Sequence, residues 1–473
     1  MPKPNNARAV VFFFIFLAAS AISPAVLSQD ILERYIRAGL DSNLALRQKS
    51  YDWERARLDL RRAQALFYPQ AGFNAQYTLA QGGRTQDIPV GDLLNSVYST
   101  LNELTASNKF PQVANQSVKF LPNDFQDTKM EISMPLIDPD LRYNRQVKQE
   151  LVNTQQAGFD IYRRELVRQI RQAYYQYLQV RKAVEIYDNA LMTVRENLRV
   201  SEDFVKNGMA TREIVLRART QVSQTEASRE EASNNLQNAG AYFNFLLNRP
   251  LETPLLIDSF LLNEPAQPEA TAGPSSGSTA GIQYLSVDLT APPSGREELA
   301  QLKSTQRIME TNLKSSRAYL VPRLNTFYDV GFQGFGYHFS SDQFYQLAGL
   351  QLQWNLFKGG DNKYKIRQAH IDIEALRDQY LDLGRQLTLQ VQTALNNYRS
   401  ACRTVPSLSE EVVSARETYR LAEKRFKEGQ ALQIELIDAR TRMTDAELRY
   451  SLGRLAVLDR EAELERATAS YKF

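Results

Sequence analysis

Cysteine is nearly absent. Cys402 stands alone in 473 residues, so the chain has no internal disulfide and no thiolate metal site. Set in a helical stretch, it reads as a buried small residue rather than a nucleophile. Histidine is almost as scarce. His338 and His370 are the only two, neither has a second ligand at metal-binding spacing, and both read as solvated. No Gly-x4-Gly-Lys-Ser/Thr phosphate loop occurs, and Gly331, Gly334 and Gly336 are wrongly spaced for a dinucleotide fingerprint. No catalytic, cofactor or metal residue is therefore assigned, and an enzyme is not expected. An excess of one charge is also missing. Lys and Arg number 57 against 54 Asp and Glu, a net of +3, too neutral for a nucleic-acid binder. Beyond the N-terminus there is no apolar run of about 18 residues, so no transmembrane helix is expected.

What is present begins with a targeting segment. Lys3 and Arg8 precede the apolar core Val10–Ala19, and Val26-Leu27-Ser28 suits a cleavage site. Residues 1–28 read as a secretory signal peptide. No cysteine directly follows the apolar core, so a lipoprotein anchor is not expected.

The exported chain is one unit written twice. At an offset of 221, Glu196, Arg199, Glu202, Gly208 and Ala210 fall on Glu417, Arg420, Glu423, Gly429 and Ala431, and Ala218-Arg219-Thr220 falls on Ala439-Arg440-Thr441. Upstream the offset is 253, matching Leu46, Leu60, Ala65 and Pro69 to Leu299, Leu313, Ala318 and Pro322. The difference of 32 residues is taken up by a loop over 81–127, with one short helix expected near Leu93–Leu104. Four segments follow: the signal peptide (1–28), a first copy (29–262), a Pro/Ser/Gly-rich linker without a role of its own (263–295), and a second copy (296–473). Each copy reads as helix, strand, loop, strand, very long helix, Gly-marked turn, helix.

Apolar and polar residues alternate along the expected strands, strictly so from Ala71. Ala71, Phe73, Ala75 and Tyr77 are apolar between Gly72, Asn74 and Gln76; Met130, Ile132 and Met134 alternate with Lys129, Glu131 and Ser133. In the second copy Leu324, Tyr328, Val330 and Phe332 oppose Arg323, Asn325, Asp329 and Gln333, and Leu350, Leu352 and Trp354 oppose Gln351, Gln353 and Asn355. Phe327 and Leu347 break the pattern. The expected strands lie near 70–80, 128–137, 322–335 and 345–357, each with one apolar and one wet face. A soluble sandwich is the alternative, but four strands make a poor one. Four strands also cannot close a barrel in lipid, where open edges leave backbone groups unpaired. Eight strands from two chains would be filled by their own side chains, so a conducting barrel needs at least three chains. Tyr68, Trp354 and Phe357 are candidates for the aromatic girdle at its periplasmic rim.

The segments Leu141–Lys206 and Asn362–Glu428 hold one glycine each, Gly158 and Gly384, and a single proline, Pro406. Each would be roughly 100 Å long as one helix. Their polar, Ala/Gln-rich faces suit the wall of a tube, or a plain coiled-coil rod. Gly208 and Gly429 mark tight turns at the ends of these helices.

This order of segments, with the Tyr68-Pro69 and Val321-Pro322 leads into the strands and the tips Gly208-Met209-Ala210-Thr211 and Gly429-Gln430-Ala431-Leu432, resembles the TolC-type outer-membrane efflux protein family. The resemblance implies a mainly α fold with membrane β: a homotrimeric outer-membrane β-barrel, four strands per chain, continued by a long periplasmic α-helical barrel. It implies a passive duct of a tripartite efflux pump or type I secretion system. The implied partners are outer-membrane lipid, an inner-membrane pump of the RND or ABC class, and a periplasmic adaptor (membrane fusion) protein docking on the hairpin tips Gly208, Met209, Ala210, Gly429, Gln430 and Ala431. It places two acidic aperture residues at Glu435 and Asp438, three apart on one helix face, where three chains would gather six carboxylates. The family's closed-state lock maps onto Phe426, Ala431 and Ile214, all three different from the family's Tyr, Arg and Asp. Arg212 and Glu213 lie close by as candidates for another pairing. The competing reading is a periplasmic coiled-coil adaptor or structural protein without a pore.

Overall fold

The computed structural model describes residues 24–121, 123–258, 261 and 295–473. The expected signal peptide lies outside them apart from Pro24–Ser28, as does the expected linker apart from Gly295.

In chain order the first copy supplies α1 (Pro24–Ser42), α2 (Leu44–Ala65), β1 (Gln70–Thr78), β2 (Thr85–Ile88), α3 (Val90–Thr105), β3 (Gln116–Lys119), β4 (Phe125–Ile137), α4 (Pro139–Lys206) and α5 (Arg212–Leu246). The second supplies α6 (Glu297–Arg317), β5 (Arg323–Phe335), β6 (Phe344–Gln353), α7 (Asp361–Lys427) and α8 (Gln433–Thr468). The duplication extends to element boundaries. Moving α2 by 253 reproduces α6, and moving α5 by 221 reproduces α8, each within one residue.

Local chemistry accounts for the long helices. Asp138 caps α4 by accepting the N–H groups of Asp140 at 2.9 Å and Leu141 at 3.2 Å. From there 68 residues run as one helix. α7 runs 67 residues through Pro406, which removes a single N–H from the ladder.

The segment at 81–127 holds more than the one helix expected. α3 covers the predicted turns, and β2 and β3 add a two-stranded antiparallel ribbon. Four exposed residues per strand are too few for alternation to announce them.

By contact the chain forms two compact units, and these cut across the two sequence copies. Of the described residues, one contains those within 24–52, 156–301 and 379–473; the other contains those within 53–155 and 302–378.

The first unit is helical. Its main core joins Ile36, Leu166, Ile170, Tyr174, Leu178 and Phe243, all fully buried. The Tyr35 and Phe243 rings meet edge to face at 5.0 Å, and Tyr174 accepts the Asp258 N–H at 3.1 Å. A second cluster packs Val391, Leu395 and Tyr398 of α7 against Leu464 of α8. Charged side chains tie the elements together: Arg164 to Glu297 at 2.5 Å, Arg466 to Glu165 at 2.9 Å, and Arg296 to Glu298 at 2.7 Å.

The second unit carries the sheet, antiparallel in the order β1-β4-β5-β6. These four strands fall on the four segments marked by alternation; β4 starts three residues earlier and β6 ends four earlier than expected. Register aligns Phe73, Met130 and Val330 across one face, with Ala71, Ile132, Tyr328 and Ala348 beside them. Asn74, Lys129, Gly331 and Tyr345 align across the other. Phe327, one of the two pattern breakers, stands opposite Gly349, and its ring covers the space a side chain would need there. Among the described residues β1 is hydrogen-bonded only to β4 and β6 only to β5, so each has an open edge.

Candidate functional site

Two regions concentrate the features singled out in the sequence: the sheet in the second unit and the helical hairpins in the first.

On the sheet, the apolar face meets no covering layer among the described residues. Phe73 is 72% exposed, Leu350 68% and Leu352 61%. The polar face is organised by charge. Lys129 bridges across strands to Asp329 at 2.9 Å and reaches Glu131 at 4.0 Å. Tyr345 donates to Asp127 at 3.3 Å. Tyr68, Trp354 and Phe357 are all exposed, and Trp354 donates its indole N–H to the Leu320 carbonyl at 2.9 Å. The sheet therefore has one face suited to hydrocarbon and one suited to water.

Gly208 and Gly429 close their helices identically. Met209 N–H bonds to the Phe204 carbonyl at 2.8 Å and Gly208 N–H to that of Val205 at 3.1 Å. In the second copy Gln430 bonds to Arg425 at 2.8 Å and Gly429 to Phe426 at 3.0 Å. This pair of bonds is the Schellman closure, and it requires a left-handed residue; φ is +69° at Gly208 and +72° at Gly429. Gly208, Met209, Gly429 and Gln430 are exposed, and Ala210 and Ala431 are half-buried.

The three positions that depart from the family lock are occupied by packing. Phe426 is buried, its ring 5.6 Å from that of Phe204, in a cluster with Tyr419, Leu436 and Ala439. Ala431 packs on the same cluster. Ile214 offers its carbonyl to the Gln433 amide at 2.6 Å, and that amide also reaches the Ser201 hydroxyl at 3.2 Å. Gln433 thus ties α8 to both α4 and α5. Glu213 pairs with Arg217, one turn on, rather than with Arg212.

Glu435 and Asp438 share the exposed side of α8, and each carboxylate has a cation beside it. Arg425 approaches Glu435 to 3.8 Å, and Arg442 binds Asp438 at 3.0 Å.

The sequence does not mark Gln433, and it marks Arg440 only as part of the repeated Ala-Arg-Thr motif. Arg440 is buried, its guanidinium 5.4 Å from the Tyr419 ring centre. Burial pushes it below its ordinary value, partly offset by Tyr419, Glu447 and Glu423. Its counterpart Arg219 is exposed and paired with Glu202 at 3.1 Å. The signal was available: Gln433, Leu436, Ala439 and Arg440 recur at helical spacing on one face, and all four are buried.

His370 lies 2.9 Å from Arg317. Cys402 is half-buried against the α7–α8 cluster, and desolvation pushes its thiol up. Among the described residues no group of three metal-ligating side chains occurs, and no helix is long and apolar enough to cross a membrane.

Residues 294–470 match the family model of the outer membrane efflux protein. The chain is 21% identical over 472 residues to the outer membrane protein TolC of Salmonella enteritidis, covering 96% of this chain and 84% of that protein. It is 24% identical over 362 residues to the alkaline protease secretion protein AprF of Pseudomonas aeruginosa, covering 72% of each. The fold matches the CmeC outer membrane channel of Campylobacter jejuni with a TM-score of 0.72 at 12% identity, over 99% of this chain and 94% of that one.

Proposed function

We infer that the chain is an outer-membrane efflux protein of the TolC type, a duct that carries solutes or proteins outward from an inner-membrane pump. The carrying observation is the sheet: four strands, two open edges, one uncovered apolar face and one charged face. In water the apolar face would be left unburied; in lipid the open edges would be left unpaired. Both demands are met if sister chains complete a barrel, and three chains give twelve strands, enough to leave a lumen. The barrel then sits in the outer membrane and the helices extend into the periplasm. The exposed hairpin tips at Gly208–Ala210 and Gly429–Ala431 are the surface offered to an adaptor. A polar duct selects little by itself, so the pump, of the RND or ABC class, chooses the cargo.

Native mass spectrometry of the detergent-solubilised protein should show three chains, and planar bilayers should show conductance. Monomers soluble without detergent would overturn the reading. The poreless coiled-coil alternative leaves the uncovered face of the sheet unexplained. It also predicts release from membranes by high salt, whereas a barrel stays.

A further inference from the structure

We propose that a polar cavity at the foot of β5 and β6 binds a small oxyanion, the phosphate or carboxylate group of a solute in transit. The cavity holds about 220 Å³ and gathers the first turns of α4 and α7, the end of α6 and the adjoining strand ends. Its charged lining is Arg323, Lys358 and Lys365 against one carboxylate, Asp140. Asp140 is bound to Arg323, so an oxyanion already occupies one side of that guanidinium. Lys365 is shared with Asp361 at 2.7 Å. Lys358 has no ion-pair partner among the described residues.

The backbone at Lys358 is fixed by a turn. Gly359 and Gly360 follow it at φ +58° and +83°, a turn that side chains resist, and the Asp361 N–H bonds to its carbonyl at 3.0 Å. Ser315, Ser316, Asn355 and Asn362 add neutral hydrogen-bond donors. A guanidinium, an ammonium and hydroxyls around one small space are the groups that recognise phosphate and carboxylate.

Arg323 and Gln353 face each other in register, alternating with Leu324 and Leu352 of the apolar face. They therefore stand on the polar side of the sheet. That side is the inner wall of the duct, a placement that rests on the function proposed above. A lipid phosphate presents the same chemistry but belongs with the other face, so the ligand is a solute.

Calorimetric titration of the full-length protein in detergent with inorganic pyrophosphate tests this. The wild type should bind. Lys358→Gln should weaken binding about tenfold, the loss of one charge-assisted contact, and Arg323→Gln at least as much. Asp140→Asn, which removes the competing carboxylate, should tighten it. Lys363→Gln, in the first turn of α7 but not among the residues lining the cavity, should change nothing. Absence of pyrophosphate binding overturns the proposal, as does an equal loss from Lys363→Gln or weaker binding by Asp140→Asn. Retention of phosphatidylglycerol that is lost in Lys358→Gln, with pyrophosphate silent, also overturns it and assigns the site to lipid. Conductance is recorded on the same preparations. Conductance without pyrophosphate binding sinks the site alone, and binding without conductance sinks the duct.

Discussion

Gly208 and Gly429 show how little a single position can give way. A side chain at φ near +70° costs roughly 1–2 kcal/mol, and both tips need that geometry for two backbone bonds each. Gly429→Val should therefore lower the local opening free energy of the second hairpin tip by about that amount, read by hydrogen exchange at Gln430 and its neighbours; unchanged protection would show that the turn tolerates another closure. At the acidic pair the structure alters the expectation. With Arg425 and Arg442 beside Glu435 and Asp438, the carboxylates are partly neutralised. Arg425→Gln with Arg442→Gln should raise cation selectivity in bilayer recordings, and Glu435→Gln with Asp438→Asn should lower it. Selectivity unmoved by either pair would remove these residues from the constriction.

Among the elements, β1 offers the sharpest contrast between neighbours. Phe73 lies on the apolar face and Asn74 on the polar one. Phe73→Lys should cost roughly 2–4 kcal/mol if that face meets the middle of the bilayer, while Gln76→Lys, opposite Asp127 on the polar face, should be nearly neutral. The amount of folded protein recovered from outer membranes would separate them, and equal recovery would argue against lipid on that face. The helical core has its own signature in pH. Burial raises the Glu165 carboxyl, but Arg168 and Arg466 outweigh it and hold it below the usual range. Glu298 is likewise raised by burial and lowered further by Arg296. Depressed carboxylates contribute stability that is present above their unfolded pKa and lost as pH falls through the folded one. Tyr174 and Tyr471 are pushed up to about 12, mainly by burial. Their contribution is full below pH 10 and fades between about 10 and 12. Helix melting followed by circular dichroism should thus show a plateau bounded by an acid fall below about pH 4 and an alkaline fall above about pH 10. Glu298→Gln should soften the acid limb.

At the scale of the whole molecule, the open edges of β1 and β6 link folding to assembly. If these edges find their partners only in sister chains, strand structure and trimer should be lost together on denaturation, because an unsealed sheet in hydrocarbon leaves backbone groups without partners. The strand signal in the far ultraviolet and the oligomer by native mass spectrometry should share one midpoint in guanidinium. Separated chains that kept their sheet would show that the edges need no neighbour.

Alternation, duplication and the paired glycines were enough to place the four long strands, the two long helices and both tip turns. Each is a local property: the period of side chains along a strand, the absence of breakers, the freedom of one φ angle. The β2–β3 ribbon escaped because four exposed residues carry no period. The fates of Arg219 and Arg440 were equally hidden. They are the same residue in the same motif, one exposed beside Glu202 and the other buried over Tyr419, since burial depends on which helix packs alongside. The guanidinium partners of Glu435 and Asp438, the Gln433 bridge and the cationic cavity at Arg323 and Lys358 belong with these. They join residues distant in the chain or turned toward one another by packing, and only the tertiary structure brings such groups within reach.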